Sequence, residues 1–383
     1  RPETLTLSDF PVPHCTAVPD ISEIDPLISL CAGGRLYEVE DWIAAGRPIQ
    51  CAPPADRKLQ RRRTPLHVAV EKGFYSLAAL LLANGYNPNG DHDECISAAV
   101  RARDHGMVEL LLRFGTDPTS FDFADALETY DRPLMDRLIE AGADPCAENA
   151  VARSLRHKAR PLLGFIKSHW DRFPGLQRQV DIALHAFVRV PDEKGVALML
   201  WLGANPYSVT PDSPYPCDEA NATHESAMEA ALWSSRPAII KSFLRKPIPS
   251  ERVDDLFRKA SYCCCPEFVQ KLLASGANPN LTTEEGDAVL ESFVSVLTWR
   301  IHTNNREDDR RGLEALELAL AAGAKWNPSN SRLCYFRRRF LDCSPETVSG
   351  AIDLFAKYHT LSAEQLHELT RTPAIKRLLN AHH

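Results

Sequence analysis

The chain has 383 residues, of which 44% are hydrophobic and 25% charged, with a formal net charge of −7. These values exclude disordered and collagen-like classes, and the acidic balance excludes a chain-wide basic surface for nucleic acid. No apolar run approaches the roughly 20 residues that a membrane helix needs. We therefore expect neither a nucleic-acid partner nor a membrane partner.

Proline dominates the first 24 residues. The prolines of this segment are Pro2, Pro11, Pro13 and Pro19. Because proline is incompatible with a helix interior and typical of extended segments, we predict an extended arm over residues 1–24. The arm is either loose or held on the rest of the chain by Phe10 and Val12, and the sequence favours neither.

The cysteine content and the first residue indicate where in the cell the protein is expected. Eleven cysteines in a long chain rich in Leu, Ala and Val favour reduced thiols, so a cytoplasmic protein is the simpler hypothesis. Since the chain begins at Arg1 rather than Met, we expect a trimmed N-terminus, and secretion or translocation stays open.

One short phrase recurs along the chain, each time after an apolar helical run. Its copies begin at Gly85, Gly115, Gly142, Gly203, Gly276 and Gly323, with a weaker copy at Gly46. Glycine ends a helix in the left-handed conformation, and Asp or Asn before Pro forms a turn that the helix cannot continue through. We predict a repeated unit of helix, tight turn, helix, glycine and loop. The leucines expected to pack between units are Leu81, Leu82, Leu111, Leu112, Leu272 and Leu273.

The best copy begins Thr64-Pro-Leu-His67 and ends Gly85-Tyr-Asn-Pro-Asn89. It resembles the ankyrin repeat. The resemblance implies that Thr64 caps the first helix, that Pro65 occupies its first turn, and that His67 bonds to neighbouring loops. It implies an all-α ankyrin-repeat solenoid of stacked helix-turn-helix units with a C-terminal helical cap, which binds another protein through finger loops and short inner helices.

The resemblance predicts the domain organisation. After the arm we expect a solenoid over residues 25–330 and a cap over residues 331–383, with cap helices at Ser344–Tyr358, Ser362–Leu369 and Thr372–Ala381. The predicted units are 25–49, 64–89, 94–118, 122–145, 149–174, 178–206, 225–248, 253–280 and 286–328.

Two long loops interrupt the units, at residues 50–63 and 205–224. The basic loop carries Arg57, Lys58, Arg61, Arg62 and Arg63. The acidic loop carries Tyr207, Asp212, Tyr215, Asp218 and Glu219. Long loops are either functional or disordered, so binding fingers and solvated loops both stay open. The inner-helix residues expected to line the same concave surface are Glu71, Lys72, Arg101, Arg103 and Trp233.

Two residue runs have both a functional and a structural interpretation. Cys263–Cys265 lacks the second cysteine pair or the histidines of a metal site, so small residues in a tight turn are favoured. Arg337–Arg339 spans most of a helix circumference, which favours a solvated cap helix over a binding face. The sequence contains no phosphate loop and no hydrolase or metalloprotease motif. We expect no catalytic residue, no cofactor and no bound metal.

Three functions stay open. The first is a non-catalytic scaffold, adaptor or inhibitor that binds a partner protein and is a monomer on its own. The second is a dedicated neutraliser of a toxin or effector, of the immunity-protein type. The third is an enzyme or a secreted host-targeting effector, which the sequence favours least because no paired titratable groups are evident.

Overall fold

The computed structural model describes residues 23–51, 63–89, 95–215, 225–234, 236–263, 265–282, 288–299, 306–326 and 328–380. This part of the chain is mostly α-helical, and its β-structure is limited to isolated bridges such as Val209–Ser226. The chain divides into two compact units. The first comprises the described residues up to Ala183 with residues 213–215, and the second comprises residues 184–212 with those from Glu225 onward. The all-α expectation is confirmed.

Eight helices of the first unit form four pairs, and a longer helix follows them. They are α1 (Asp25–Ala32), α2 (Leu36–Ala44), α3 (Pro65–Glu71), α4 (Tyr75–Ala83), α5 (Cys95–Arg101), α6 (His105–Arg113), α7 (Phe123–Thr129), α8 (Arg132–Ala141) and the longer α9 (Ala150–His169). The first helices stack in the order α1, α3, α5, α7, α9, and the second helices stack in the order α2, α4, α6. Each pair therefore buries its apolar surface against its neighbours along the chain.

The second unit has the same alternation. Its helices are the end of α10 (Gly175–Arg189), then α11 (Glu193–Leu202), α12 (Ala227–Leu232), α13 (Pro237–Leu244), α14 (Ser250–Ala260), α15 (Pro266–Ala274), α16 (Val289–Trp299), α17 (Arg306–Ala321), α18 (Asn330–Phe340), α19 (Pro345–Lys357), α20 (Ala363–Thr370) and α21 (Pro373–Asn380). The second helices α11, α13, α15, α17, α19 and α21 stack in that order. Among the first helices, α12 packs on α14, and α18 packs on both α16 and α20.

The six glycines predicted to end a helix do so. Their φ angles lie between +82° and +117°, in the left-handed region where a Cβ is disfavoured. The predicted cap has the same feature without a glycine. His359 follows α19 with φ +51°, and its N–H and that of Thr360 bond to the carbonyls of Ala356 and Phe355. The helices after Ser329 thus continue the geometry of the repeat. The boundary between solenoid and cap stays a prediction.

The segment Thr64–His67 at the start of α3 makes the N-cap that the resemblance implies. The Thr64 side chain accepts a hydrogen bond from the His67 backbone N–H at 3.2 Å, and Pro65 is the first helical residue. The expected bond from His67 to a neighbouring loop stays a prediction. Its Nδ1 is buried without a hydrogen-bond partner among the residues that the structure describes.

The fifth predicted unit is wrong. Within residues 149–174 the structure has one long helix, α9 (Ala150–His169), rather than two helices joined by a turn. Its buried side chains, among them Val151, Leu155, Leu162 and Ile166, recur at helical spacing through both halves. One continuous apolar stripe favours one continuous helix, and this outweighs the bond lost at Pro161 inside it.

Neighbouring loops are linked by asparagine side chains. The Asn89 amide donates to the Gly115 carbonyl at 2.8 Å and accepts from the Asp117 N–H at 2.8 Å. Asn280 makes the same pair of bonds with the loop after α17, at 3.2 and 2.8 Å. A planar amide that bonds two backbone groups of the next loop fixes the register of that loop.

The turn between two paired helices requires a left-handed residue. Gly73 provides it after α3, where φ is +69° and the next N–H, of Phe74, bonds to the Ala69 carbonyl. After α5 the equivalent residue is Arg103, with φ +55° and the same hydrogen bonds. A non-glycine residue in this region costs about 1–2 kcal/mol.

We therefore expect Arg103→Gly to stabilise the first unit by about 0.5–1 kcal/mol, because relief of backbone strain exceeds the extra entropy of glycine in the unfolded chain. The measurement is urea unfolding followed by circular dichroism. Arg103→Ala, which removes the charge and keeps the Cβ, is the control and should change stability by less than about 0.5 kcal/mol. A glycine variant less stable than the alanine variant would contradict this account.

Candidate protein-binding surface

Most of the predicted basic loop lies outside the described residues: Arg57, Lys58, Arg61 and Arg62. Arg63 is described, and its guanidinium lies 3.2 Å from the carboxylate of Glu71, the last residue of α3. The structure thus brings together one residue of the predicted basic loop and one of the predicted inner helices. Both side chains are exposed, so the pair adds little to stability.

The other inner-helix residues of the first unit lie at the ends of first helices. Lys72 follows α3 directly and is exposed. Arg101 ends α5 and donates to the Asp125 carboxylate at 2.9 Å. Arg103 occupies the strained turn that follows. These positions are open to solvent and anchored on stacked helices, as a binding surface requires.

The described part of the acidic loop is bound to its own chain. In the second unit Asp212 accepts from Arg189 at 3.1 Å. Burial raises the pKa of Asp212, but the hydrogen bond and charge of Arg189 outweigh this and hold the pKa below its usual value. The Tyr207 hydroxyl donates to the Pro247 carbonyl at 2.7 Å, and burial raises its pKa to about 12. Asp218 and Glu219 lie outside the described residues.

A fully buried histidine anchors the same segment. The Nδ1–H of His185 donates to the Thr210 carbonyl at 3.0 Å, and Nε2 lies 3.8 Å from the Glu225 carboxylate. Burial lowers the pKa of His185, so the ring is neutral at physiological pH. Residues 207–212 therefore serve the local fold, and their role in partner binding stays a prediction.

Tyr215 belongs to the first unit. Its hydroxyl lies 3.2 Å from Nε2 of His157, and the guanidinium of Arg156 lies 5.8 Å from the centre of its ring. The tyrosine ring is thereby fixed on α9. Its role at an interface also stays a prediction.

One position is exposed in eight of the helix pairs that the structure describes, whereas in the pair α20/α21 the equivalent residue, Leu369, is buried. We define the pre-turn position as the residue three before the N-cap of the second helix. In the first unit its occupants are Ala32, Glu71, Arg101 and Glu128. In the second unit they are Arg189, Trp233, Tyr262 and Leu341. All eight side chains are exposed.

The chemistry at the pre-turn position differs between the two units. In the first unit it is small or charged. In the second unit Arg189 is charged, whereas Trp233, Tyr262 and Leu341 are large and mostly apolar, yet 58%, 40% and 42% exposed. Trp233 was predicted from sequence, whereas Tyr262 and Leu341 were missed. Counting back from each predicted second helix would have found them, because the offset is constant while loop lengths vary.

A buried carboxylate supports this part of the surface. Glu229 in α12 is 3% exposed. It accepts hydrogen bonds from the Ser226 N–H at 2.7 Å, from Arg252 at 2.9 Å and from Lys259 at 2.8 Å. Because Arg252 and Lys259 lie in α14, the cluster fixes α12 and α14, and with them Trp233 and Tyr262, relative to each other.

The structure describes most of the cysteine and arginine runs, and the role of the cysteine run stays a prediction. Cys263 and Cys265 are buried, and burial raises the pKa of Cys265 to about 12, so this thiol is protonated at neutral pH. Cys264 lies outside the described residues. No cluster of three or more metal-ligating side chains occurs within the described ranges. The expectation that Arg337 is solvated is wrong, because it donates to the Glu368 carboxylate at 2.6 Å and links α18 to α20.

The helices that the structure describes include none with the length and hydropathy of a membrane span.

Comparisons with known proteins identify the repeat. The family model for the ankyrin repeat matches residues 61–93. A 26S proteasome non-ATPase regulatory subunit 10 from Dictyostelium discoideum is 37% identical over 97 residues, covering 24% of this chain and 40% of the relative. Ankyrin repeat and SOCS box protein 14 from Mus musculus is 28% identical over 136 residues, covering 32% of this chain and 23% of the relative. The chain thus spans less than half the length of either curated relative.

A solved structure was also compared. The human ASB11 ankyrin repeat domain matches 80% of this chain and 100% of its own length, with 16% identity and a TM-score of 0.31. The matched repeat itself contains the capped α3, the left-handed turn at Gly73 and the glycine end at Gly85. Residues 61–93 therefore match the ankyrin repeat, and the same turn and glycine end recur along both units.

Proposed function

We propose that the chain is a non-catalytic scaffold, an adaptor or inhibitor, that binds one partner protein through the exposed pre-turn positions of its units and the loops beside them. The observation that carries this proposal is the exposure of the pre-turn position in eight described helix pairs, on helices that stack on their neighbours. Ankyrin repeats are protein-interaction modules, and stacked repeats present extended binding surfaces. One relative is by name a regulatory subunit of the 26S proteasome, which supports a binding role within an assembly.

We propose a direct binding role for the basic loop and a mainly structural role for the described part of the acidic loop. Arg63 lies beside Glu71, so the basic loop ends at the pre-turn position of α3 in the first unit. The described acidic-loop residues are tied to their own unit, and they contribute chiefly by holding the fold. We further propose a cytoplasmic monomer without enzymatic activity.

The test begins with affinity capture from an extract of the native source, with the immobilised folded chain against the same chain unfolded. We expect one protein to be enriched by the folded chain alone and then to bind the purified chain in solution. Should the folded chain retain nothing beyond what the unfolded chain retains, the scaffold proposal is wrong.

The basic loop is tested on the same complex. Reversal of Arg61, Arg62 and Arg63 to Glu should weaken binding by about 1–2 kcal/mol, the scale of an interface hot spot. The matched control reverses the exposed Arg35, Arg113 and Arg132 and produces the same change of net charge. Equal effects of the two variants would assign the loss to net charge and would contradict a specific role for the loop.

A further inference from the structure

The second unit exposes a row of large apolar side chains where the first unit exposes charges. We define the apolar row as Trp233, Tyr262 and Leu341, the pre-turn residues of the pairs α12/α13, α14/α15 and α18/α19. We propose that the apolar row binds one acidic amphipathic α-helix of the partner protein. This inference rests on the proposed binding function and specifies the chemistry of the partner.

The spacing of the row fits a helix. Packed helices lie about 8–10 Å apart, and α12 packs on α14. A helix rises about 1.5 Å per residue, so two turns, or seven residues, advance about 10 Å and return to the same face. Apolar residues at i and i+7 of a partner helix would therefore meet Trp233 and Tyr262.

Leu341 extends the row at the same period. The pair α16/α17 lies between α14/α15 and α18/α19 in the stack, and its own pre-turn position is outside the described residues. Phe257 of α14 meets Phe293 of α16, with ring centres 6.1 Å apart, and α16 packs on α18. Leu341 is thus two repeats from Tyr262, about 20 Å at the packing distance above, or about fourteen helical residues.

The charges around the row favour an acidic partner. Arg236 lies three residues after Trp233, and Arg338 three residues before Leu341, and both are exposed. Neither guanidinium has a carboxylate partner among the described residues. Asp342 is the exposed carboxylate beside Leu341. In the middle of the row Lys259 is paired with Glu229 at 2.8 Å, and Arg258 lies 3.9 Å from the Asp255 carboxylate.

Cations therefore exceed carboxylates along the row in a chain whose net charge is −7. Acidic residues flanking the apolar stripe of the partner would meet Arg236 and Arg338, which fixes the orientation of the helix and speeds the encounter. The Glu229 cluster holds α12 and α14 in place before binding, which lowers the entropic cost of forming the interface.

The probes are three synthetic helical peptides of equal length, about four heptads. The first has Leu at every i+7 position of one face and Glu on the flanks. The second has the same composition with the leucines distributed around the helix, and the third replaces Glu by Lys. Fluorescence anisotropy with the full chain should show the first peptide binding at least tenfold more tightly than either other peptide. If the second or third peptide binds as tightly as the first, the inference is wrong.

Variants locate the binding site. Trp233→Ala with Tyr262→Ala should weaken binding of the first peptide at least tenfold. The matched control is Tyr37→Ala, which removes an aromatic side chain that is 79% exposed in the first unit and should leave binding unchanged. Circular dichroism and melting establish that each variant is folded, and Trp233→Phe, which keeps a large ring, should retain binding.

Two further outcomes separate this inference from the proposed function. If the double variant captures the native partner as well as the wild type, the proposed scaffold function is unaffected and the role of the apolar row is wrong. Sedimentation showing a dimer that the double variant abolishes would assign the row to a second copy of the chain, which also overturns the inference.

Discussion

Replacing Leu111 by alanine is expected to destabilise the first unit by about 2–5 kcal/mol, the range for truncating a buried leucine. Leu111 lies in α6 with no exposed surface, and α6 packs on α4. The truncation removes buried apolar contacts and leaves a cavity. Since stability in a stacked repeat protein is a sum of nearest-neighbour terms, the adjacent pairs should unfold first.

Denaturant unfolding with native-state hydrogen exchange measures this effect residue by residue. The matched control is Leu112→Ala, because the next leucine in the same helix is only half-buried. Leu112→Ala should lower the free energy of unfolding clearly less than Leu111→Ala does. Equal losses at the two positions would mean that α6 does not pack as described.

Replacing Glu229 by alanine is expected to destabilise the second unit by about 2–4 kcal/mol. Removal of one partner from a buried ion cluster costs about 3–5 kcal/mol, and partial exposure of Arg252 and Lys259 lowers this value. The control is Glu128→Ala, an exposed pre-turn carboxylate of the first unit, which should change stability by less than about 0.5 kcal/mol. Thermal and denaturant unfolding measure both variants.

The same carboxylate predicts an acid dependence. Burial raises the pKa of Glu229, but hydrogen bonds from Lys259 and from the Ser226 N–H, with the charges of Lys259 and Arg252, outweigh burial and hold the pKa below the ordinary 4.5. The stabilisation is therefore present above pH 4.5 and is lost as pH falls below it toward the folded-state pKa. Glu229→Gln should flatten the stability profile in this window. The pKa of His185 is also lowered from its ordinary 6.5, so its stabilisation is lost as the pH falls below 6.5. This range lies above that of Glu229, so the two groups can be separated. A profile below pH 4.5 that is identical in wild type and Glu229→Gln would contradict the cluster.

The parts of the fold that sequence predicted are those encoded by a local rule. Glycine after an apolar run predicts the left-handed helix end, and six such glycines adopt it. Thr64 before Pro65 predicts the N-cap, and its side chain makes that bond. These features depend on a few adjacent residues, so a single sequence is sufficient to find them.

The features that sequence missed depend on distant contacts or on an exception to the local rule. Residue identity did not reveal that α9 is continuous, because the deciding factor is a buried stripe that runs past Pro161. His359 and Arg103 adopt a conformation that glycine usually provides, so the corresponding turns had no signal. Leu273, predicted to pack between units, is only half-buried.

The sequence predicted some residues of the candidate surface correctly and misjudged others. Glu71, Arg101 and Trp233 share one structural position, although they were chosen from sequence for different reasons. Tyr207 and Asp212 look like free polar groups in the sequence, yet Pro247 and Arg189 hold them. Whether a loop side chain is free or engaged depends on residues 23 or more positions away, which no local pattern encodes.

The most direct test of partner binding at this surface is hydrogen exchange on the chain alone and in complex with the protein recovered by affinity capture. Binding at the pre-turn positions predicts slower exchange at the ends of α12, α14 and α18 and in the turns after them, with α9 and α17 unchanged. Slower exchange confined to the second helices, with the pre-turn segments of both units unaffected, would contradict it.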